Sequence, residues 1–300
     1  MMEMIYHKPV LLSESVAGLN IKPASVYVDA TFGGGGHSKE ILRQLDQQSK
    51  LVAFDQDEDA QRNSIDDPRF LLIPQNFKHL KRFLRFHKID TVDGILADLG
   101  VSSHQFDTPE RGFSIRFDGP LDMRMNRQQM LSAKEVVNDY SASELADILF
   151  HYGELRNARN IANQITQNRA EEIHTTEQLN AILSDFLPRG NENKVLAKIY
   201  QALRMEVNKE VDVLQDFLVQ CKEVLKVGGR LSVISYHSIE DRLVKRFIQN
   251  GNFDSEPVKD AFGNPERSFK KCGGLQVPSQ GEINQNNRAR SAKLRVAERI

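Results

Sequence analysis

The run Val26-Tyr-Val-Asp-Ala-Thr-Phe-Gly-Gly-Gly-Gly-His-Ser38 constrains the fold more than any other part of this 300-residue chain. An apolar strand ends in an acid, breaks into four consecutive glycines and leads into a segment, Ser38 to Leu45, that starts a helix. Glycines tolerate φ > 0 and let backbone approach a ligand with no Cβ in the way, while the free N–H groups of a following helix face that ligand. A glycine run alone is more often a flexible loop; the strand-loop-helix order makes this one a nucleotide-cofactor loop.

Lys50-Leu-Val-Ala-Phe-Asp55 reads as a second buried strand, with its acid about 20 residues beyond the loop, the spacing of a carboxylate that grips a ribose diol. Nicotinamide dinucleotides and S-adenosylmethionine both present such a ribose, so Asp55 does not separate them. Asp29 does more. An acid at the end of the first strand repels a pyrophosphate but suits a cofactor with an ammonium and a cationic sulfur, and the balance favours S-adenosylmethionine.

Two further strands are expected, Leu71 to Asn76 and Val92 to Asp98, separated by a helix from Phe77 to His87. The alternation gives an α/β class with a doubly wound parallel sheet, whose carboxyl edge would bring Asp29, Asp55 and Asp98 to one crevice. Beyond Asp98 a long stretch to Asn126 has neither strand nor helix period, as functional loops at a sheet edge often do. Ser132-Ala-Lys-Glu135, Ser141-Ala-Ser-Glu144 and Thr175-Thr-Glu-Gln178 each fit a capping box at a helix start. Residues 110–207 therefore read as an inserted helical domain between α/β segments 1–109 and 208–300.

The α/β pattern resumes with a helical stripe of Val211, Leu214, Phe217, Leu218, Cys221, Val224 and Leu225, ending at Gly228-Gly229. The strand Arg230 to His237 follows, and Ser238-Ile-Glu-Asp241 is taken as the capping box of a helix from Asp241 to Gln249. Gly251 to Asn287 reads as loop, and Ser291 to Ala297 alternates like an edge strand.

Composition sets bounds without naming an activity. Forty basic and 41 acidic residues give a net charge of −1, so the whole surface does not announce a polyanionic partner. The distribution does more. Asn287 to Ile300 is strongly basic, and Lys78-His-Leu-Lys-Arg-Phe-Leu-Arg-Phe-His-Lys88 interleaves cations with aromatics, a pattern suited to phosphate contacts though often just a solvated face. The two cysteines, Cys221 and Cys272, are far apart, which fits a reducing cytoplasm. No apolar run reaches membrane-spanning length, the amino-terminal residues lack the plan of a signal peptide, and no Cys/His/Asp spacing resembles a metal-ligand set.

Eight separated blocks, in order, resemble the bacterial ribosomal RNA cytosine-N4 methyltransferases that act on 16S RNA. They are His7 to Leu12, Asp29 to Ser38, Asp98-Leu-Gly-Val-Ser-Ser103, Arg111-Gly-Phe-Ser, Asp118-Gly-Pro-Leu-Asp-Met-Arg-Met-Asn126, Gln201-Ala-Leu-Arg-Met-Glu-Val-Asn208, Gly228 to Arg242 and Asn287 to Arg295. The resemblance covers nearly the whole chain. It implies a Rossmann-like S-adenosylmethionine-dependent methyltransferase fold with a helical insertion, acting on the N4 amine of one cytidine in the decoding region of 16S ribosomal RNA. Small-subunit RNA, within the ribosomal subunit, is the implied partner, and a homodimer is compatible with this reading. By the same match, Gly35, Gly36, His37, Asp55, Phe77, Asp98 and Gln105 are the cofactor-binding positions. Gly34 stands where the family often has arginine, Tyr236 where it often has phenylalanine, and Leu155 where Tyr-Gly-Glu-Glu is usual.

Methyl transfer to an amine needs alignment more than a strong base, yet a cytosine amino group has a delocalised lone pair and gains from an acceptor for one of its hydrogens. Asp98 is the catalytic candidate by position. Tyr236 is a candidate to stack on the extruded base, and His237 to hydrogen-bond it or merely to cap the next helix. Arg124, Arg288, Arg290, Lys293 and Arg295 are candidate phosphate contacts. Two other classes stay open at this point: a nicotinamide-dependent oxidoreductase, which leaves Asp29 and the basic tail unexplained, and a non-catalytic RNA-binding module, which gives no reason for a cofactor crevice.

Overall fold

The computed structural model describes residues 9–300 except Ser255, Val258, Asp260, Ala261, Asn264 and Glu266, and leaves the Asp185 side chain aside. His7 and Lys8 of the first matched block, and the rest of the amino-terminal sequence, lie outside the described residues.

The chain runs through α1 (Leu12–Gly18), β1 (Val26–Asp29), α2 (Gly36–Gln44), β2 (Lys50–Phe54), α3 (Glu58–Gln61), β3 (Phe70–Ile73), α4 (Leu80–Phe86) and β4 (Val92–Asp98). It then leaves the sheet for α5 (Ser103–Asp107), α6 (Ala133–Asp139), α7 (Ala142–His151), α8 (Ala158–Gln167), α9 (Thr176–Leu183) and α10 (Glu192–Val207). It returns through α11 (Glu210–Val224), β5 (Leu225–Ser235), α12 (Ser238–Asn250), β6 (Phe269–Lys271), α13 (Gln280–Gln285) and β7 (Lys293–Arg299). Two compact units result: Met1–Gly100 with Asp212–Ile300, and Val101–Val211. The first break falls earlier than residue 110 because Val101 and Phe106 already pack into the helical core. The second falls after residue 207 because Glu210 is tied to Arg204 at 2.7 Å.

The first unit holds a sheet of order β3-β2-β1-β4-β5-β7-β6. β1 to β5 pair in parallel; β7 runs antiparallel to β5, with Leu231 opposite Ala297, and antiparallel to β6. β1 and β2 are short, β-branched and aromatic, and almost wholly buried, as strands covered on both faces must be. Val16, Leu19, Tyr27, Ile41, Leu42, Leu51 and Leu96 form one core face, and α1 is bonded across to β5 where the Ser232 hydroxyl donates to the Ser15 carbonyl at 2.9 Å. Cys221 is buried on the apolar face of α11.

Three local expectations change. Gly228-Gly229 do not end a helix: α11 stops at Val224, and the glycines fall within β5, where the pairing with β4 shifts register. The carboxy-terminal strand β7 is internal, because β6 pairs along its outer side. The segment 251–287 is not all loop, since it supplies β6 and α13; Glu282 of α13 accepts the Leu11 N–H at 2.7 Å, which fastens the tail to the start of α1.

The second unit is helical around Leu145, Leu149, Ile161, Ile165, Leu179, Leu183, Ile199 and Leu203. Ser132, Ser141 and Thr175 close their capping boxes with Glu135, Glu144 and Gln178. The stretch expected to be aperiodic holds α5 and a short 3₁₀ turn, Pro109–Arg111, and its remainder is held from inside by side chains. Arg111, 1% exposed, donates to the Arg124 carbonyl at 2.9 Å, while Asn208 donates to the Met123 carbonyl and accepts the Met125 N–H, both at 2.8 Å.

Candidate active site

Each parallel strand of the first unit delivers its last residue, or the next one, to the carboxyl edge. The loops there are stitched to one another. Ala30 N–H donates to the Leu96 carbonyl, Phe32 N–H to the Phe54 carbonyl, Leu99 N–H to the Ile234 carbonyl, and Asp98 N–H to the Thr31 hydroxyl at 2.7 Å. The acids are thereby fixed relative to one another before any ligand arrives.

In the glycine loop, Gly33 (φ 52°) and Gly35 (φ 75°) adopt the left-handed backbone that a side chain disfavours, and Gly35 is the cap of α2. Gly36 is needed for space: a Cβ there would sit 2.1 Å from Pro9 Cγ. Gly34 is not among the positive-φ glycines, which is consistent with a family that often places arginine at this point.

Asp55 accepts the Gly33 N–H at 2.7 Å on one oxygen and the Asp57 N–H at 2.8 Å on the other, so it braces the loop while keeping acceptor capacity. Asp29 is fully buried, bonded to the Ser38 hydroxyl at 2.6 Å and the Thr31 N–H at 3.1 Å. It supports the loop from below instead of lining the edge with an open carboxylate. Asp98 receives the Tyr236 hydroxyl at 2.8 Å and lies 3.8 Å from His37 Nδ1, while His37 Nε2 is 3.2 Å from the Val10 carbonyl. His37 is held between the two.

Burial pushes the carboxyls of Asp29, Asp55 and Asp98 up to about 6, and the Asp29 charge adds to the rise at the other two. For Asp98 the neighbouring His37 and the Tyr236 hydrogen bond pull the other way. Burial and the Asp98 charge together drive the Tyr236 hydroxyl well above its ordinary value, so it stays a donor. A group of acids that destabilise one another's charge is matched by a ligand carrying positive charge and hydroxyl donors, and is repelled by a pyrophosphate. The residues present fit S-adenosylmethionine.

Phe77 follows β3 in a short 3₁₀ turn and meets Phe217 edge-on, with centroids 5.0 Å apart. The Asn76 side chain donates to Gln56 Oε1 at 2.8 Å, tying that turn to the loop after β2. Gly35, Gly36, His37, Asp55, Phe77 and Asp98 thus share one edge of the first unit. Gln105 belongs to the second unit, where its side chain accepts the Ser102 N–H at 3.0 Å and closes the capping box of α5.

Tyr236 and His237 both leave the end of β5, with different results. The Tyr236 ring lies over Gly100 and its hydroxyl is committed to Asp98. His237 is the cap of α12: its Nδ1 accepts the Glu240 N–H at 3.5 Å, and Nε2 is 3.0 Å from Glu240 Oε1. The capping box therefore runs from His237 to Glu240, one residue earlier than Ser238 to Asp241, and α12 starts at Ser238.

The basic candidates divide. Arg295 donates to Asp241 at 2.7 and 3.2 Å, and Lys293 reaches the same carboxylate at 3.4 Å, so the two cations share one negative charge. Arg124 forms a two-pronged pair with Asp122 and donates to the Gln129 carbonyl, which makes it a brace of its own loop. Arg290 is exposed and Arg288 half-buried in the turn before β7. Sequence reasoning missed Glu240, which is buried and accepts the Tyr236 N–H at 2.8 Å, and Thr31, which seats Asp98. Glu240 was legible only as part of a capping pattern displaced by one position.

A 3-2-1-4-5-7-6 sheet with an antiparallel seventh strand, a glycine loop after β1 and acids after β1, β2 and β4 defines a Rossmann-like, S-adenosylmethionine-dependent methyltransferase. Residues 4–300 match the MraW methylase family, and the chain belongs to it. It is 59% identical over 301 residues to the ribosomal RNA small subunit methyltransferase H of Christiangramia forsetii, covering 100% of both chains. The same-named protein of Flavobacterium johnsoniae is 60% identical over 298 residues, covering 99% of each, and that of Bacteroides fragilis 52% over 299 residues, covering 99% of this chain and 98% of the relative.

Proposed function

We propose that this protein methylates the N4 amine of one cytidine in the decoding region of 16S ribosomal RNA, with the small subunit in the cytoplasm as its substrate. The observation that carries this reading is the family match over residues 4–300, joined to an acid-lined edge suited to a cationic adenosine cofactor. When bound, the cofactor supplies an electrophilic methyl group on a positively charged sulfur. The chain's own contribution is placement. Asp55 takes the ribose hydroxyls with the lone pairs left over from Gly33 and Asp57; Gly35, Gly36 and Phe77 shape the adenosine side; His37 and Tyr236 hold Asp98.

Methylation of the amine would release one of its protons, and the chain must supply a group to take it. Asp98 is the acceptor, kept ionised near neutrality by His37 and Tyr236 against the effect of burial. Tyr236, with its hydroxyl occupied, presents only its ring to a base, and His237 acts by starting α12. Arg288 and Arg290 contact phosphate, with Lys293 and Arg295 set behind them. The helical unit selects the RNA.

The test is transfer of labelled methyl from S-adenosylmethionine to small subunits from cells lacking this protein, with the product nucleoside identified by mass spectrometry. N4-methylcytidine that disappears with Asp55→Ala supports the reading. Label on another atom or on protein overturns the substrate while leaving the fold and cofactor in place.

A further inference from the structure

The basic and aromatic segment 78–88 has no part in the site, and in the structure it becomes a solvent-facing ridge. Only Leu80 and Leu84 of α4 are buried. Arg82, Arg85, Phe86, His87 and Lys88 are exposed; Phe86 is 77% exposed, and its ring stands edge-on to His87 at 5.2 Å. Within α4, Arg82 stands three residues before Arg85 and four before Phe86, which puts the three along one stripe. No acid occurs between Phe77 and Ile89. Lys81 is paired with Glu223, but among the described residues no carboxylate pairs with Arg82, Arg85 or Lys88.

This arrangement costs the protein something. Like charges at i, i+4 weaken a helix, and within α4 Lys81 precedes Arg85 by that step. His79 registers the crowding: burial, followed by the charges of Lys78 and Arg82, lowers its pKa. A largely exposed phenylalanine among these cations adds an apolar surface whose one ring neighbour among the described residues is His87. The basic tail differs, because Lys293 and Arg295 share Asp241.

We infer that the α4 ridge is a second RNA-binding surface, in which Arg82, Arg85 and Lys88 meet backbone phosphates and Phe86 with His87 stacks on unpaired bases. The inference rests on ribosomal RNA being the substrate. Uncompensated cations interleaved with open aromatic faces are complementary to single-stranded nucleic acid, where bases offer π-faces at every step. An acidic protein surface would use the cations and leave Phe86 without a role. Anchoring at α4 would raise the affinity of the enzyme for its RNA without touching the reacting atoms.

The experiment compares wild type with Arg82→Ala/Arg85→Ala and, separately, Phe86→Ala, against Lys50→Ala/Arg62→Ala as a charge-matched control on the same unit. Filter binding uses protein-free small-subunit RNA and assembled subunits across a salt series, alongside methyl-transfer kinetics on subunits. The expected result is affinity for protein-free RNA about tenfold weaker in both α4 variants, a salt slope shallower by about 1.4 in the double variant, and an unchanged control. On subunits KM rises and kcat holds. Equal affinity and slope for wild type and variants overturn the inference; so does a loss confined to assembled subunits, which would make the partner a ribosomal protein. Absence of methyl transfer by wild type would defeat the proposed activity, while the binding series would still decide this surface.

Discussion

The Tyr236 hydroxyl donates to Asp98 Oδ1 at 2.8 Å, joining the ends of β5 and β4 across the centre of the candidate site. That bond and the His37 ring are what hold Asp98 ionised against burial. Tyr236→Phe keeps the ring over Gly100 and deletes the bond. The variant should fold normally and lose only a few-fold in kcat, because the family often carries phenylalanine here. The acidic limb of its pH–rate profile should move to higher pH, since the Asp98 carboxyl rises further without its donor. A profile superimposable on wild type would remove Tyr236 from the control of Asp98.

Asp55 has two duties, bracing Gly33 and Asp57 and offering its remaining lone pairs to a ribose. Asp55→Ala should weaken S-adenosylmethionine binding about 30-fold or more by calorimetry, given roughly 1.5–3 kcal/mol for each hydrogen bond to a charged acceptor. Retention of wild-type affinity would move the ribose contact elsewhere along the edge.

Gly34 and Gly36 separate flexibility from space. Gly36→Ala places a Cβ 2.1 Å from Pro9 Cγ, so the loop or the start of the chain must shift, at a cost of about 1–3 kcal/mol. Gly34→Ala, with no positive φ to preserve, should stay within about 0.5 kcal/mol of wild type. Thermal melts of the two variants check this directly, and equal losses would mean that the loop is uniformly intolerant.

The contrast between these glycines shows where a sequence speaks and where it is silent. Strand ends bearing acids, the loop and the three capping boxes are local patterns, so Asp55, Asp98 and the starts of α6, α7 and α9 could be read from spacing alone. Pro9 against Gly36, Glu282 against Leu11 and Asn208 against Met123 join residues far apart in the chain, and no periodicity announces them. Charge is incomplete for a similar reason. As candidate phosphate contacts Lys293 and Arg295 carry no sign in the sequence of Asp241, which lies on another element and pairs with both, and Arg124 is paired with Asp122 two residues away.

That compensation gives a test for the basic candidates. Arg124 donates to Asp122 and to the Gln129 carbonyl with its side chain 25% exposed, so Arg124→Ala should lower stability by about 1–2 kcal/mol and leave the salt dependence of RNA binding unchanged. Arg290→Ala should do the reverse, leaving the melt in place and making the salt slope shallower by about 0.7–0.9. Denaturant titration beside salt-series binding would expose either assignment as mistaken.

The three acids also set a pH dependence. The carboxyls of Asp29, Asp55 and Asp98 sit near 6 in the folded protein, above the ordinary 3.8, so the folded chain holds these protons more tightly than the unfolded one. Their contribution to stability is therefore most favourable below about pH 4, declines as pH rises toward 6, and is level above it. A cationic ligand has the opposite preference, because it binds the ionised acids. Affinity for S-adenosylmethionine should fall as pH drops through about 6, with proton release on binding at that pH measurable by calorimetry in buffers of different ionisation enthalpy. Since the acids interact, the midpoint belongs to the group rather than to one residue. Asp55→Asn should flatten the dependence without abolishing it, leaving the share carried by Asp98; an affinity independent of pH between 5 and 8 in wild type would mean that these carboxylates do not face the cofactor.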